Sequence, residues 1–216
     1  MSDPIQRPDF VPSPRRVHVE FGGEIIAQSD ATILVRGDRG IPVYYFPQEH
    51  VNLGHLHPSG RVVTGGAKGD ATYWNVGVGD RLAENAAWTF DGTKGDAAVI
   101  KGYVAFEWSQ MDRWFEEDEE AFVHARDPYH RVGVVDSRRS VRVVVGGKVL
   151  AKTTRSRVLF ETGLSVRYYI HPEDVMMEPS GAVTQCPYKG SAENFRCESA
   201  ATLLEDIVWT YPGSDR

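Results

Sequence analysis

The sequence predicts a mostly β protein: two tandem small antiparallel β-domains, barrel-like in their strand and turn density, bridged by one amphipathic helix. Three observations predict it. First, the chain repeats itself. Val17, Val19, Gly22, Gly23, Ala27, Tyr44, Tyr45, Glu49 and Val51 recur 124 residues later at Val141, Val143, Gly146, Gly147, Ala151, Tyr168, Tyr169, Glu173 and Val175. After a three-residue deletion the offset is 121. Pro58, Ser59, Gly60, Val62, Lys68, Gly69, Ala71, Leu82, Glu84, Trp88 and Thr89 then recur at Pro179, Ser180, Gly181, Val183, Lys189, Gly190, Ala192, Leu203, Glu205, Trp209 and Thr210. Twenty identities over about 75 aligned positions describe a duplicated module. Second, each copy opens with period-two alternation that stops at a Gly-Gly turn, the pattern of a β-hairpin. Third, the period changes to 3–4 residues between the copies.

Taken in order, residues 1–15 form a Pro-rich, flexible lead without an apolar signal core. The first β-domain spans 16–90. Its strands are read at Val17–Phe21, from Ile25, at Ile33–Val35, at the aromatic run Tyr44-Tyr45-Phe46, at Trp74–Val78 and at Trp88–Phe90. Residues 91–139 form the bridge. Asp96 is read as an N-cap, and Ile100, Tyr103, Val104, Trp108, Met111, Trp114 and Phe115 as one face of a helix over about 96–115. The acids Glu116–Glu120 oppose a helix dipole at its C-terminus, so they are read as a solvated turn. The second β-domain spans 140–212 and repeats the strand reading of the first.

Composition limits the function classes. The chain has 216 residues, 41% hydrophobic and 11% aromatic, which are the values of a folded globular protein. A net charge of −6 gives no reason to expect a nucleic-acid partner. No apolar stretch is long enough for a membrane helix, so no membrane partner is expected. Two cysteines do not make a disulfide framework, and a cytoplasmic location is expected.

The segment FEEDEEAFVHARDPYHRV (115–132), the loop TQCPYKG (184–190) and the paired Tyr-Tyr-x-x-x-Glu-x-Val strands resemble one family. This is the domain of unknown function 427 family, sometimes labelled nucleotidyltransferase-like. The resemblance covers about residues 16–212. It implies a compact β-domain of the β-tent type, here in tandem, and no established reaction. The chain lacks the paired-carboxylate, Gly-Ser signature of polymerase-like nucleotidyltransferases.

Candidate chemistry gathers in the second copy. The TQCPYKG loop holds Cys186, Tyr188 and Lys189, where the first copy has Gly65, Gly66 and Ala67 opposite Cys186, Pro187 and Tyr188. A thiolate is the reactive form of cysteine, and the Lys189 cation would favour it. Lys-Gly recurs as Lys68-Gly69, so a turn requirement is the competing account, with Cys186 packed beneath the sheet. A second cluster is His124, Arg126, Asp127, Tyr129 and His130. His is the usual general base and Asp can orient it; the competing account is a structured linker. The expected catalytic residues are therefore Cys186, His124, His130 and Asp127. The expected ligand-binding residues are Tyr188, Lys189, Tyr129, Tyr168 and Arg126. His50, His55 and His57 are the weakest set: three imidazoles in eight residues suit a metal, yet they belong to one copy only, and no metal is expected. The repeated aromatics Tyr44, Tyr45, Trp88, Tyr168, Tyr169 and Trp209 read as core.

Two functional expectations follow. One is an uncharacterised domain protein that binds a small molecule, or a thiol- and His-dependent enzyme, with its pocket in the second repeat. The other is a noncatalytic interaction or scaffold module in which TQCPYKG is structural. No residue pattern assigns a cofactor, the identity of the small molecule or an oligomeric state.

Overall fold

A computed structural model describes residues 8–37, 41–66, 68–176, 178–199 and 202–212, without the side chains of 178–179, 197–199 and 202–207. The chain divides into two compact units, Met1–Asp127 and Pro128–Arg216. Both are mostly β and antiparallel throughout.

Unit 1 is built from eleven strands: β1 (Asp9–Pro12), β2 (Val17–Phe21), β3 (Glu24–Ser29), β4 (Ile33–Arg36), β5 (Val43–Pro47), β6 (Leu56–Gly66), β7 (Gly69–Val78), β8 (Arg81–Asp91), β9 (Tyr103–Phe106), β10 (Arg113–Glu116) and β11 (Glu119–Ala121). They form a seven-stranded sheet in the order β1-β4-β5-β9-β8-β7-β6 and a four-stranded sheet in the order β11-β10-β2-β3. Alternation in the sequence sets the two faces of the large sheet. Tyr44 and Phe46 of β5 pack with Val17, Val19 and Trp114 of the small sheet, while Tyr45 turns to the other face and joins Trp88, Ile33 and Ile100. Ile100 comes from a 3₁₀ turn, Gly95–Ile100, that covers this second face.

The expected bridging helix does not form. Residues 96–115 are a 3₁₀ turn, β9, a second 3₁₀ turn at Trp108–Gln110, and β10. Gly102 sits at φ +75°, which stops a right-handed helix before Tyr103. The four residues after it are aromatic, β-branched or small, and the open edges of β5 and β8 offer their backbone a full set of partners: Ala105 pairs with both Tyr45 and Trp88. Met111 and Trp114 are buried as expected, with Trp108 stacked on Trp114 at 4.4 Å, but from a loop and a strand. The acidic run is a hairpin whose turn, Glu117-Asp118, is solvated as expected, while Glu116 before it is not. Glu116 is buried and accepts hydrogen bonds from Arg15 at 2.8 Å, the Tyr44 hydroxyl at 3.0 Å and the Arg126 backbone N–H at 3.0 Å. Part of the expected flexible lead is also structured, because β1 pairs with β4; residues 1–7 lie outside the described residues.

Unit 2 has β12 (Val132–Ser137), β13 (Val141–Val145), β14 (Lys148–Thr153), β15 (Ser156–Glu161), β16 (Arg167–Tyr169), β17 (Glu178–Cys186), β18 (Gly190–Ser199) and β19 (Thr202–Thr210). They form three separate sheets, β12-β15-β16, β13-β14 and β17-β18-β19. No sheet closes into a barrel among the described residues of either unit.

The duplication extends to register. Pairs Asp9↔Arg36 and Phe10↔Val35 become Gly133↔Phe160 and Val134↔Leu159, so each copy begins before its first sequence identity. The bulge after Val19 recurs after Val143, and the isolated bridge Ala27↔Val51 recurs as Ala151↔Val175. Even the side-chain ties repeat. Ser59 donates to the Tyr73 carbonyl and Ser180 to the Asn194 carbonyl; Ser29 meets His50 where Thr153 donates to Asp174.

Candidate functional site

The copies differ by one block. Unit 1 continues past β8 into β9, β10 and β11, and β9 lies between β5 and β8. The described residues of unit 2 hold no counterpart of these strands. The equivalents of β5 and β8 are β16 and β19, and each is the edge of its own sheet. A groove of about 340 Å3 lies between them. Its walls include Leu150, Tyr168, Tyr169, Ile170, Phe195, Val208 and Trp209, and among the described residues its single charged lining residue is Arg167. That size and character suit a ligand with an apolar body. In unit 1 the face carrying Tyr45 and Trp88 has a cavity of about 20 Å3, next to Lys68 and Phe90.

A polar cluster adjoins the groove. Glu161, buried at the end of β15, accepts hydrogen bonds from Lys189 Nζ at 2.6 Å, His130 Nε2 at 3.0 Å and Arg167 Nη1 at 3.0 Å. Burial alone would raise the Glu161 carboxyl; the bonds from Lys189 and His130 outweigh it and leave the group below the ordinary carboxylate range. The His130 ring stacks on Tyr188 at 4.0 Å. Arg167 reaches from Glu161 to the Trp209 ring, 6.0 Å away, and so links cluster and groove. Cys186 is half-buried at the end of β17 and is not in a disulfide. The Tyr211 hydroxyl beside it is pushed up, first by burial and then by the adjacent thiol. Tyr169, tilted against Tyr211 at 6.4 Å, is also raised by burial.

Of the expected site residues, Cys186, Tyr188, Lys189 and His130 meet in this cluster, and Tyr168 lines the groove. Tyr129 is exposed. The others, His124, Arg126 and Asp127, belong to unit 1. His124 Nδ1 meets the Ala125 carbonyl at 2.7 Å, Asp127 accepts from Arg36 at 3.1 Å, and Arg126 reaches Glu119 at 3.4 Å. His50 Nδ1 is 2.8 Å from Ser29 Oγ and His55 Nδ1 is 3.1 Å from the Gly77 carbonyl, while the His57 ring lies over Gly77. The Cys197 side chain lies outside the described residues.

Sequence reasoning missed Glu161, Arg167 and Tyr211, although the repeat carried a signal for them. At the same offsets the first copy has Gly37, Val43 and Phe90, and Gly65 opposite Cys186. Four positions at which only the second copy is polar converge at one place.

These features define a tandem antiparallel β protein with one closed and one open copy. Its family model, described as a domain of unknown function (DUF427), matches residues 9–117 and 133–215, and the chain belongs to that family. No curated protein compared with the chain matches it. Among the described residues no helix is long and apolar enough to cross a membrane.

Proposed function

We propose that this chain is a binding protein whose ligand occupies the unit 2 groove, with unit 1 as its closed structural partner in sequence. The observation that carries the reading is the contrast between equivalent strands: β5 and β8 are joined by β9, while β16 and β19 are parted by an apolar, aromatic groove. Arg167 is the polar group placed to orient what enters. The free Cys186 thiol suits a reducing, cytoplasmic setting.

The test is titration with the apolar anionic dye 8-anilinonaphthalene-1-sulfonate. Saturable fluorescence enhancement and a raised melting temperature are expected; a ligand at 100 times its Kd adds about 2.7 kcal/mol. Tyr168→Ala and Trp209→Ala remove half-exposed rings from the groove walls, so they should weaken dye binding and leave the fold intact. Dye binding unchanged in both variants rejects the groove as the site.

A second reading makes Cys186 a nucleophile. It is favoured by the Tyr211 hydroxyl beside the thiol and by the nearby Glu161 cluster with Lys189 and His130, all in the copy that holds the cysteine. Native alkylation with iodoacetamide followed by peptide mapping tests it. Rapid modification of Cys186, slowed by Lys189→Met, supports thiol chemistry; an unreactive Cys186 leaves the binding reading alone.

A further inference from the structure

We infer that the ligand of the unit 2 groove is an extended peptide segment of another polypeptide, which adds one antiparallel strand between β16 and β19. This rests on the reading of the groove as a binding site and names its ligand class.

Unit 1 displays the bound arrangement. There β9 pairs with β5 through Tyr45↔Ala105 and Phe46↔Val104, and with β8 through Trp88↔Ala105 and Thr89↔Val104. One strand thereby fuses two three-stranded groups, β1-β4-β5 and β8-β7-β6, into a single sheet. Unit 2 holds the same two groups, β12-β15-β16 and β19-β18-β17, unjoined. The duplication offsets place Tyr169 and Ile170 where Tyr45 and Phe46 stand, and Trp209 and Thr210 where Trp88 and Thr89 stand. All four counterparts line the groove. Its floor is Val143, Leu150 and Ala151, the counterparts of Val19, Ile26 and Ala27, which pack with Val104 and Phe106 in the unit 1 core.

The ligand pattern follows from the strand that fills the unit 1 slot. Val104 and Phe106 face the inner core, and Ala105 lies on the opposite face with Tyr45 and Trp88. A segment with apolar residues on either side of a small one therefore fits, and main-chain hydrogen bonds to both edges supply affinity with little sequence demand beyond this. Exposed strand edges are templates for such pairing unless charge or proline blocks them; the groove-lining stretch of β19, Val208-Trp209-Thr210, has neither. Among the described residues the matching segment is committed to unit 1, so it does not fill the unit 2 slot. Val104, Ala105 and Phe106 are nearly fully buried in unit 1, and a copy that lent them would open its own core.

The test uses the full chain and a labelled peptide of residues 102–107, Gly-Tyr-Val-Ala-Phe-Glu, followed by fluorescence anisotropy. Saturable binding at one site per chain is expected, with displacement of the anilinonaphthalene dye. In the peptide, Ala105→Pro removes a central backbone donor and should weaken binding at least tenfold; a scrambled peptide should do the same. If the dye binds and the peptide does not up to about 1 mM, the strand inference falls while the groove remains a site. If neither binds, both readings fall. Equal affinity for the scrambled peptide overturns the inference. So does a chain dimer in light scattering that excludes the peptide, since a second copy would then be the occupant.

Discussion

Unit 1 and unit 2 share strand order, bulges and turn ties, yet the same residues live in different surroundings. Tyr44 is 1% exposed and Tyr168 is 40% exposed; Trp88 is 5% exposed and Trp209 is 39% exposed. Local sequence sets where each strand starts, stops and bulges, because that depends on turns and neighbours within a few residues. Burial depends on what covers the strand afterwards. In unit 1 the cover is β9, β10 and the 3₁₀ turn at Gly95–Ile100, and the described residues of unit 2 have none of these. The same aromatics are thus core in one unit and groove wall in the other.

The sharpest way to break this comparison is to delete equivalent rings. Trp88→Ala should destabilise by about 3–5 kcal/mol, since it empties a buried site and removes an indole N–H that donates to the Tyr45 hydroxyl at 3.2 Å. Trp209→Ala should cost under ~1 kcal/mol. Urea denaturation of the two variants measures both, and equal losses would refute the contrast.

Glu161 tests the polar half of the site. Glu161→Gln leaves the Lys189 ammonium, only 10% exposed, without its carboxylate. A loss of about 3 kcal/mol in unit 2 is expected, largely recovered by adding Lys189→Met. A double variant no more stable than Glu161→Gln would mean the two groups are not coupled.

A smaller effect separates the paired tyrosines. Tyr44→Phe removes a buried hydroxyl bonded to Glu116 and should cost about 1.5–3 kcal/mol. Tyr168→Phe should fall within about 0.5 kcal/mol, as surface changes do. Thermal unfolding of both variants sharpens the comparison further.

The smallest effect is a pH dependence from the Asp174 tie of unit 2. Bonds from Arg155, then from Thr153, hold the Asp174 carboxyl at about 2, below its ordinary 3.8. Its folded-state value is the lower one, so the tie contributes stability above about pH 4 and loses it as the pH falls through about 2. The counterpart tie in unit 1 joins Ser29 to His50 and has no carboxylate. Asp174→Asn should flatten the acid limb of the Trp209 signal and leave the unit 1 indoles unchanged in an NMR acid titration.

Much of the fold was legible in the sequence. Alternation up to Gly22-Gly23 and Gly146-Gly147 gave both hairpins, and the two offsets aligned strands that the structure then paired in matching register. The segment 96–115 was misread because Ile100, Val104, Trp108 and Met111 satisfy a helical period by coincidence. Ile100, Val104 and Met111 are buried and Trp108 is half-buried, but from turns and strands. Of the candidate cluster, Cys186, Tyr188, Lys189 and His130 were legible from motif chemistry. Glu161 was not, because an acid at the end of a strand looks solvated until Lys189, Arg167 and His130 are found against it.

By itself, then, the sequence determined the antiparallel β class, the duplication and most strands of each copy, all governed by interactions over a few residues. Tertiary structure alone decided that Tyr103–Phe106 is a strand, since its hydrogen-bond partners lie some 60 and 20 residues away in β5 and β8. It also decided that the equivalent slot in unit 2 is a groove, because a groove is defined by what the neighbouring edges lack, and no single stretch of sequence records the meeting of two edges.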